Sequence, residues 1–146
     1  MLIASLPIAV VMERRTVHHR WADDAWSAIG VVTDPGGLAL QHEGATGPKP
    51  HLSLTTGLQL ELHPDENDGY FENWIAPAPK IFVLWRVTGD RATAVAASVS
   101  YGEGARMLDS GEAADGVPMP PDIHRWLGDY LRLHYQPRSQ TKGYRR

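Results

Sequence analysis

Two neighbouring runs of residues constrain the fold of this chain more than any other feature. In the first run, Leu58, Leu60 and Leu62 alternate with polar residues, so the three leucines share one face of a strand. The second run, residues 81–85, is apolar without a break, which is typical of a strand buried on both faces. Together the runs predict a packed β domain, and neither contains a complete catalytic signature.

The composition bounds the classes of protein to which the chain can belong. Its 146 residues fit one domain that is large enough to bury a core without disulfides or metal. Cysteine is absent, which excludes disulfides, thiol catalysis, iron–sulfur clusters and cysteine-ligated zinc. The net charge of −3 supplies no basic field of the kind that nucleic-acid-binding proteins usually carry. We therefore expect no nucleic-acid partner.

The apolar start of the chain is better explained by a strand than by a signal peptide. Arg14 and Arg15 follow the apolar run, whereas a signal peptide carries its positive charges in front of it. Alternate positions from Leu6 to Met12 are apolar, as in a half-buried strand. No segment approaches the roughly 18 to 20 apolar residues that span a bilayer. We expect a cytoplasmic protein with no membrane partner.

The patterns predict six or so antiparallel strands. Gly57 is expected to bend the third strand, and Gly89 and Asp90 form a tight turn that makes the last two strands a hairpin. The expected strands cover about residues 6–17, 27–32, 51–63, 70–75, 81–88 and 91–99. Residues 35–50 are rich in glycine and proline and are expected to form a mobile surface loop.

Two helices are predicted after the strands. Ser100 and Glu103 have the spacing of a capping box, and the short helix that they begin is expected to run to Ser110 before Gly111. A second helix begins at the proline pair 120–121 and ends before Pro137. It carries an apolar stripe made of Ile123, Trp126, Leu127, Tyr130, Leu131 and His134.

This order of elements predicts an α+β, mainly β fold. The strands would form a bent sandwich or a partly open barrel, and the amphipathic C-terminal helix would dock on it, an order also found in pleckstrin-homology-like domains. Residues 1–137 are expected to be a single domain, and residues 138–146 a disordered basic tail.

The densest group of potential ligands surrounds His63. Asp65, Glu66 and Asp68 follow it, and a histidine beside carboxylates can bind a metal or act as a general base. The acids do not have calcium-loop spacing, and proline, aspartate, asparagine and glycine are ordinary turn formers. A solvated hairpin turn is the favoured interpretation, so no metal and no other cofactor is predicted.

Cationic and aromatic residues offer a second kind of candidate site. Arg14 and Arg15 precede two histidines and Arg20, a group that could hold an anion or an acidic partner surface, although a solvated strand end is the favoured interpretation. About three of the five tryptophans are expected in the core, and the others could anchor a protein interface or stack on bases. They are Trp21, Trp26, Trp74, Trp85 and Trp126.

Several blocks of the sequence together resemble a small bacterial family of unknown function encoded beside molybdenum-dependent formate dehydrogenase genes. The blocks are residues 10–15 with Trp21 and Trp26, residues 60–63 running into 68–70, residues 82–86, residues 108–112, and residues 117–121 leading into Trp126. Members are sometimes labelled molybdopterin-guanine dinucleotide biosynthesis protein A. Such a nucleotidyltransferase resembles a Rossmann-like fold with a glycine-rich phosphate loop near its start, whereas residues 6–15 contain no glycine.

The resemblance implies a non-enzymatic accessory protein that binds a formate dehydrogenase subunit or another maturation factor. No catalytic residue is predicted, and the expected interface residues are Arg14, Arg15, Trp21, Trp26, His63, Tyr70, Trp74 and Arg86. The alternative is a barrel that binds a small molecule or an anion, with or without enzymatic activity, in which His63 and nearby carboxylates act with arginines. A single-strand nucleic-acid binder is the third hypothesis.

Overall fold

The strands form two three-stranded antiparallel sheets, accompanied by three helices, in the part of the chain that the structure describes. The structure is a computed structural model, and the described residues are 1–15, 25–34, 36 and 52–136. The sheets are not closed into a barrel, and the mainly β bent sandwich expected from the sequence is confirmed.

The first sheet has the order β2-β1-β3, and β1 is therefore its central strand. Strand β1 covers Ala4–Arg15, β2 covers Ala25–Thr33 and β3 covers Leu52–Leu62. Opposite Ile8 and Val10, the partner residues on β3 jump from Leu58 to Thr55, and Gly57 in this bulge has a φ of 86°. The predicted bend at Gly57 is thus confirmed, because a positive φ is readily available only to glycine.

The second sheet has the order β5-β4-β6. Strand β4 covers Lys80–Thr88 and β5 covers Arg91–Ser98, and the predicted hairpin between them is confirmed. Strand β6, Ala113–Pro118, pairs with the other edge of β4. Strand β6 was not predicted from the sequence, because its alanine, aspartate, glycine and proline residues have poor strand propensity. Pairing with β4 overrides that low propensity.

The strand predicted at residues 70–75 is wrong, because the chain there is helical. A 3-10 turn at Pro64–Glu66 leads directly into helix α1, Asn67–Trp74. Tyr70 and Asn73 are its buried residues, and their separation of three places both on one face of the helix. The acidic residues after His63 therefore begin a helix and do not form a hairpin turn.

Both predicted helices are present. Helix α2 covers Tyr101–Leu108, two residues shorter than expected, and helix α3 covers Pro121–His134. Ser100 caps α2 by accepting a hydrogen bond from the Glu103 amide at 3.2 Å. A capping box also requires the Glu103 carboxylate to accept a hydrogen bond from the Ser100 amide, and this bond is not formed. Instead, the Ser100 amide donates to the Ser98 hydroxyl at 3.0 Å, and that hydroxyl donates to the Glu103 carboxylate.

One apolar core lies between the sheets and extends to α3. Ile8, Val10 and Met12 of β1 are fully buried in it, as are Ile123 and Leu127 of α3. At the sheet edges, the Ala94 amide donates to Thr55 Oγ1 and the Ala28 amide donates to Asp115 Oδ2, both at 3.0 Å. These bonds join β5 to β3 and β2 to β6 without closing a continuous ladder.

Several predictions fall outside the described residues and stay predictions. They concern the last two residues of the first expected strand, 16–17, the cationic group of His18, His19 and Arg20, Trp21, the loop at 35–50 apart from Gly36, the helix stop at Pro137 and the basic tail at 138–146. None of the helices within the described ranges is both long and apolar enough to cross a bilayer.

Candidate functional site

A groove of about 910 Å³ lies between α1 and α3, within the size range of sites that bind small molecules or peptides. Aromatic and other apolar side chains form most of its wall, including Phe71 and Trp74 from α1, Leu131 from α3, and Tyr135 just beyond α3. Met119, Pro79 and Pro121 extend the apolar surface at one side.

Trp74 is held in the groove by three contacts with His124 of α3, two of them made by its indole and one by its backbone carbonyl. Its ring stacks on the imidazole of His124, with centroids 4.9 Å apart and planes 6° from parallel. Its Nε1 donates to the His124 carbonyl at 3.0 Å, and His124 Nε2 donates to the Trp74 carbonyl at the same distance. Because a carbonyl only accepts, this second bond requires a proton on His124 Nε2. The groove is therefore preformed around a fixed aromatic ring.

Gly128 explains how the indole can lie so close to α3. A Cβ at this position would stand 2.9 Å from Trp74 Nε1, which is closer than real Cβ contacts. Glycine inside a helix is less favourable than alanine by about 0.5–1 kcal/mol, so a packing requirement is the physical reason for its presence here.

The end of α3 is attached to the start of α1 by side-chain hydrogen bonds. Asn67 donates to the His134 carbonyl at 3.1 Å and accepts from the Tyr130 hydroxyl at 2.7 Å. The Tyr135 hydroxyl donates to Asp68 at 2.8 Å, and the Tyr135 ring lies 5.1 Å from that of Phe71. Burial raises the pKa of Tyr130, although its bond to Asn67 acts in the opposite direction. These bonds fix the far end of the groove.

The charged residues of the groove wall carry a net positive charge. Arg125, Asp129 and Arg132 all lie on α3, and Arg132 pairs with Asp129 at 3.0 Å. Arg125 makes no hydrogen bond or ion pair with any residue in the described ranges. One arginine therefore remains available for an anionic group beside the apolar wall.

The predicted interface residues are spread over several parts of the molecule. Arg14 lies over the Trp26 ring, 5.6 Å from its centroid, on the paired strands β1 and β2. Arg15 is exposed at the end of β1, and Trp74 is in the groove. Arg86 is exposed on β4 and pairs with Glu112 at 2.9 Å, which raises the pKa of Arg86 and lowers that of Glu112.

Tyr70 lies in the core and not on the surface. Its side chain is fully buried, and its hydroxyl accepts from the His63 amide at 2.9 Å and donates to the Glu61 carbonyl at 3.3 Å. Burial raises the pKa of Tyr70, and the bond from the His63 amide opposes that rise. Tyr70 thus supports the fold beneath His63.

His63 lies in a separate crevice of about 350 Å³ between β3 and β5. Its Nε2 is 3.4 Å from Glu61 Oε1, and Glu103 also lines the crevice. Arg14, Arg15 and Arg86, all within the described residues, do not line it. The structure therefore does not bring the predicted histidine and arginines together.

Two of the three carboxylates that follow His63 have structural partners. Glu66 pairs with Arg106 at 2.9 Å and accepts from the Ser100 hydroxyl at 2.7 Å, and Asp68 binds Tyr135. Among the described residues, no three histidine, aspartate or glutamate side chains are grouped so that they could hold a metal ion.

The tryptophans occupy the margin of the core. The four that the structure describes are partly exposed, and each packs against the core; they are Trp26, Trp74, Trp85 and Trp126. Trp85 also donates to Asp115 at 2.8 Å, the carboxylate that joins the two sheets.

Trp74 was predicted from the sequence, whereas the residues on the α3 side of the groove were not. His124, Arg125 and Arg132 lie outside the apolar stripe by which α3 is recognised in the sequence. One signal was present, since Gly128 interrupts an otherwise regular amphipathic helix and such a glycine usually accommodates a close neighbour.

Comparison with known proteins gives one match. No curated protein and no solved structure matches the chain. A family model described as "Protein of unknown function (DUF3305)" matches residues 7–145, which is nearly the whole chain. The chain therefore belongs to this family of unknown function, DUF3305.

Proposed function

We propose that this protein is a non-enzymatic accessory factor for the maturation of a molybdenum-dependent formate dehydrogenase, and that it acts in the cytoplasm by binding another protein. The partner would be an apo-subunit of the enzyme or another maturation factor. The formate dehydrogenase part of the proposal comes from the sequence blocks that resemble a family encoded beside such genes.

The groove between α1 and α3 is the observation that supports a binding role. It combines a fixed tryptophan with arginines at the margin of an apolar wall. Tryptophan and arginine are the residues that most often dominate the energy of protein interfaces. A preformed groove also favours binding, because little side-chain ordering remains to oppose it.

Deletion of the gene in its host tests this proposal. We expect formate oxidation and the molybdenum content of the purified dehydrogenase to fall together, and to recover when the wild-type gene is restored. Normal values of both quantities in the deletion strain would refute the accessory role.

A small-molecule or anion site at His63 is the second candidate function. The observation that favours it is the approach of His63 to Glu61 in the crevice beside β5. Restoring the gene with the His63→Ala substitution distinguishes the two candidate functions, because the contact between His63 and Glu61 is not part of the groove. Full recovery is expected for an accessory factor that uses the groove, whereas failure by a stable, well-folded variant would favour the second candidate.

A further inference from the structure

We propose that the groove between α1 and α3 binds an extended acidic segment of the partner protein, with an apolar side chain placed between two carboxylates. This inference rests on the proposed accessory function and names the chemistry of its partner. It follows from the apolar wall, the excess of positive charge and the separation of the two arginines.

The apolar wall provides the anchor. Trp74 presents an indole that is already stacked and hydrogen bonded, and Leu131 and Met119 also line the groove. A leucine or an aromatic residue of the partner would lose its water-exposed area against these side chains. Grooves lined by aromatic residues commonly recognise extended, polyproline-II-like segments, because these lose little conformational entropy on binding.

The two arginines define the spacing of the charges. Arg125 and Arg132 are seven residues apart on one helix, so their Cα atoms are about 10 Å apart along its axis. In a polyproline-II segment, residues three apart lie on the same side and are separated by about 9 Å. Carboxylates at positions i and i+3 of such a segment match this spacing, whereas a compact ion would engage one arginine only. One carboxylate would meet Arg125, and the other would compete with Asp129 for Arg132, which is feasible because that ion pair is exposed and therefore weak.

Nuclear magnetic resonance of the ¹⁵N-labelled full-length protein can test this pairing. The probe is the peptide Ac-Gly-Glu-Pro-Leu-Glu-Pro-Leu-Glu-Gly-NH₂, which repeats carboxylates every three residues with leucines between them. We expect addition of the peptide to shift the amide resonances of α1 and α3 around Trp74, His124 and Arg132. The same peptide with lysine in place of each glutamate should bind at least about tenfold more weakly, because it meets like charges.

Charge-reversal variants provide the matched comparison. Arg125→Glu and Arg132→Glu both change exposed side chains, so the fold should be retained, and combining them is expected to weaken binding of the acidic peptide about tenfold or more. Arg91→Glu changes the net charge by the same amount as either single variant, but it lies on β5 away from the groove. It should alter the affinity by less than about twofold.

Three results would overturn the proposal. The first is equal binding of the acidic and lysine peptides, or shifts that lie outside the groove. The second is occupation of the groove by the aromatic anion 8-anilinonaphthalene-1-sulfonate while the acidic peptide shifts no resonance, which would assign the groove to a small ligand. The third is a change in the amide resonances of the groove in the absence of peptide. Such a change on dilution would assign the groove to a second copy, and such a change on removal of residues 137–146 would assign it to the chain's own end.

The two proposals fail separately. If the deletion strain fails to mature the dehydrogenase but the groove does not bind the peptide, the accessory role is supported and the acidic-segment proposal is refuted. If the groove binds the peptide but the deletion strain matures the dehydrogenase normally, the acidic-segment proposal is supported and the accessory role is refuted.

Discussion

At the scale of single residues, Asn73 makes an unusually large contribution to the local structure. It is fully buried in α1, and its amide nitrogen donates to the carbonyls of Lys80 and Val99 at 2.7 and 2.8 Å. Its amide oxygen accepts from the Lys80 backbone at 3.0 Å. One side chain therefore connects α1, the start of β4 and the residue after β5.

Replacing Asn73 by alanine removes all three bonds and leaves buried backbone groups without partners. We expect Asn73→Ala to lower the free energy of unfolding by about 2–4 kcal/mol, because unsatisfied buried polar groups retain their full desolvation cost. Urea unfolding followed by circular dichroism measures the change. Gln59→Ala on the exposed side of β3 is the control and should change stability by less than about 0.5 kcal/mol. A similarly small effect at Asn73 would show that these bonds add nothing to stability.

Tyr70 gives the molecule a defined sensitivity to alkali. Because burial raises its pKa in the folded state, the unfolded chain loses the phenol proton first as pH rises past the ordinary value of about 10. The unfolded state then binds fewer protons than the folded state, so this contribution to stability is present below pH 10 and declines above it. The slope attributable to one such group is at most about 1.4 kcal/mol per pH unit.

The Tyr70→Phe variant tests this linkage. It should lose about 1–2 kcal/mol at neutral pH, because the His63 amide loses its acceptor, yet its stability should fall less steeply between pH 10 and 11. Urea unfolding at several pH values measures both effects. Tyr101→Phe removes the hydroxyl of an exposed tyrosine and serves as the matched control variant. Identical slopes for Tyr70→Phe and the wild type would contradict the assignment.

At the scale of secondary-structure elements, the packing of α2 on the second sheet depends on a glycine. The Cβ of any other residue at Gly104 would overlap the ring of Phe82, whereas a Cβ at Gly102 would meet only ordinary contacts of 3.5–3.6 Å. The two glycines are on the same short helix and therefore form a natural pair for comparison.

We expect alanine substitutions at these two glycines to differ in their effect on the stability of the protein. Gly104→Ala should destabilise the protein by about 1–3 kcal/mol, because overpacking outweighs the gain in helix propensity. Gly102→Ala should be neutral or stabilising by up to about 1 kcal/mol. Thermal unfolding of both variants measures the difference. Equal melting temperatures would show that Phe82 moves aside without cost.

Local patterns predicted most elements correctly, and the two errors, the strand assigned in place of α1 and the unpredicted β6, have physical causes. The alternation in β1 and β3, the turn at Gly89 and the stripe of α3 are short-range signals, and the structure follows them. Helix α1 was assigned as a strand because its aromatic residues favour strands, although Pro64 and the acids after it are typical of a helix start. Whether this segment is a helix or a strand is decided by the burial of Tyr70 and Asn73 against distant segments. A local sequence pattern does not contain that information.

The groove was less predictable than the fold for the same reason. Its walls come from segments whose contacting residues, Trp74 and His124, are 50 positions apart in the chain. Trp74 could be chosen as an interface candidate by its residue type alone. The contribution of Arg125 and Gly128 becomes evident only when α3 is placed against α1.

At the scale of the whole molecule, α3 is part of the core on which both sheets depend. Leu127 is fully buried within the cluster that contains β1, β3 and β4 residues, whereas Leu133 on the same helix is 75% exposed. We expect Leu127→Ala to lower stability by about 2–5 kcal/mol and Leu133→Ala by less than about 0.5 kcal/mol.

The cooperativity of unfolding checks this view of the core. Circular dichroism, which follows helices and strands, and tryptophan fluorescence, which follows the core margin, should give coincident transitions for both leucine variants. Separate transitions in Leu127→Ala would mean that α3 detaches while the sheets remain folded, and that it is not part of a single cooperative core.

The bonds from Asn67 and Asp68 to the last turn of α3 and to Tyr135 have a consequence for biosynthesis. A nascent chain that ends before Pro121 has one wall of the groove only, so it offers no complete surface to a partner. Recognition through this groove would therefore distinguish finished molecules from fragments and from chains in which the final helix has come away.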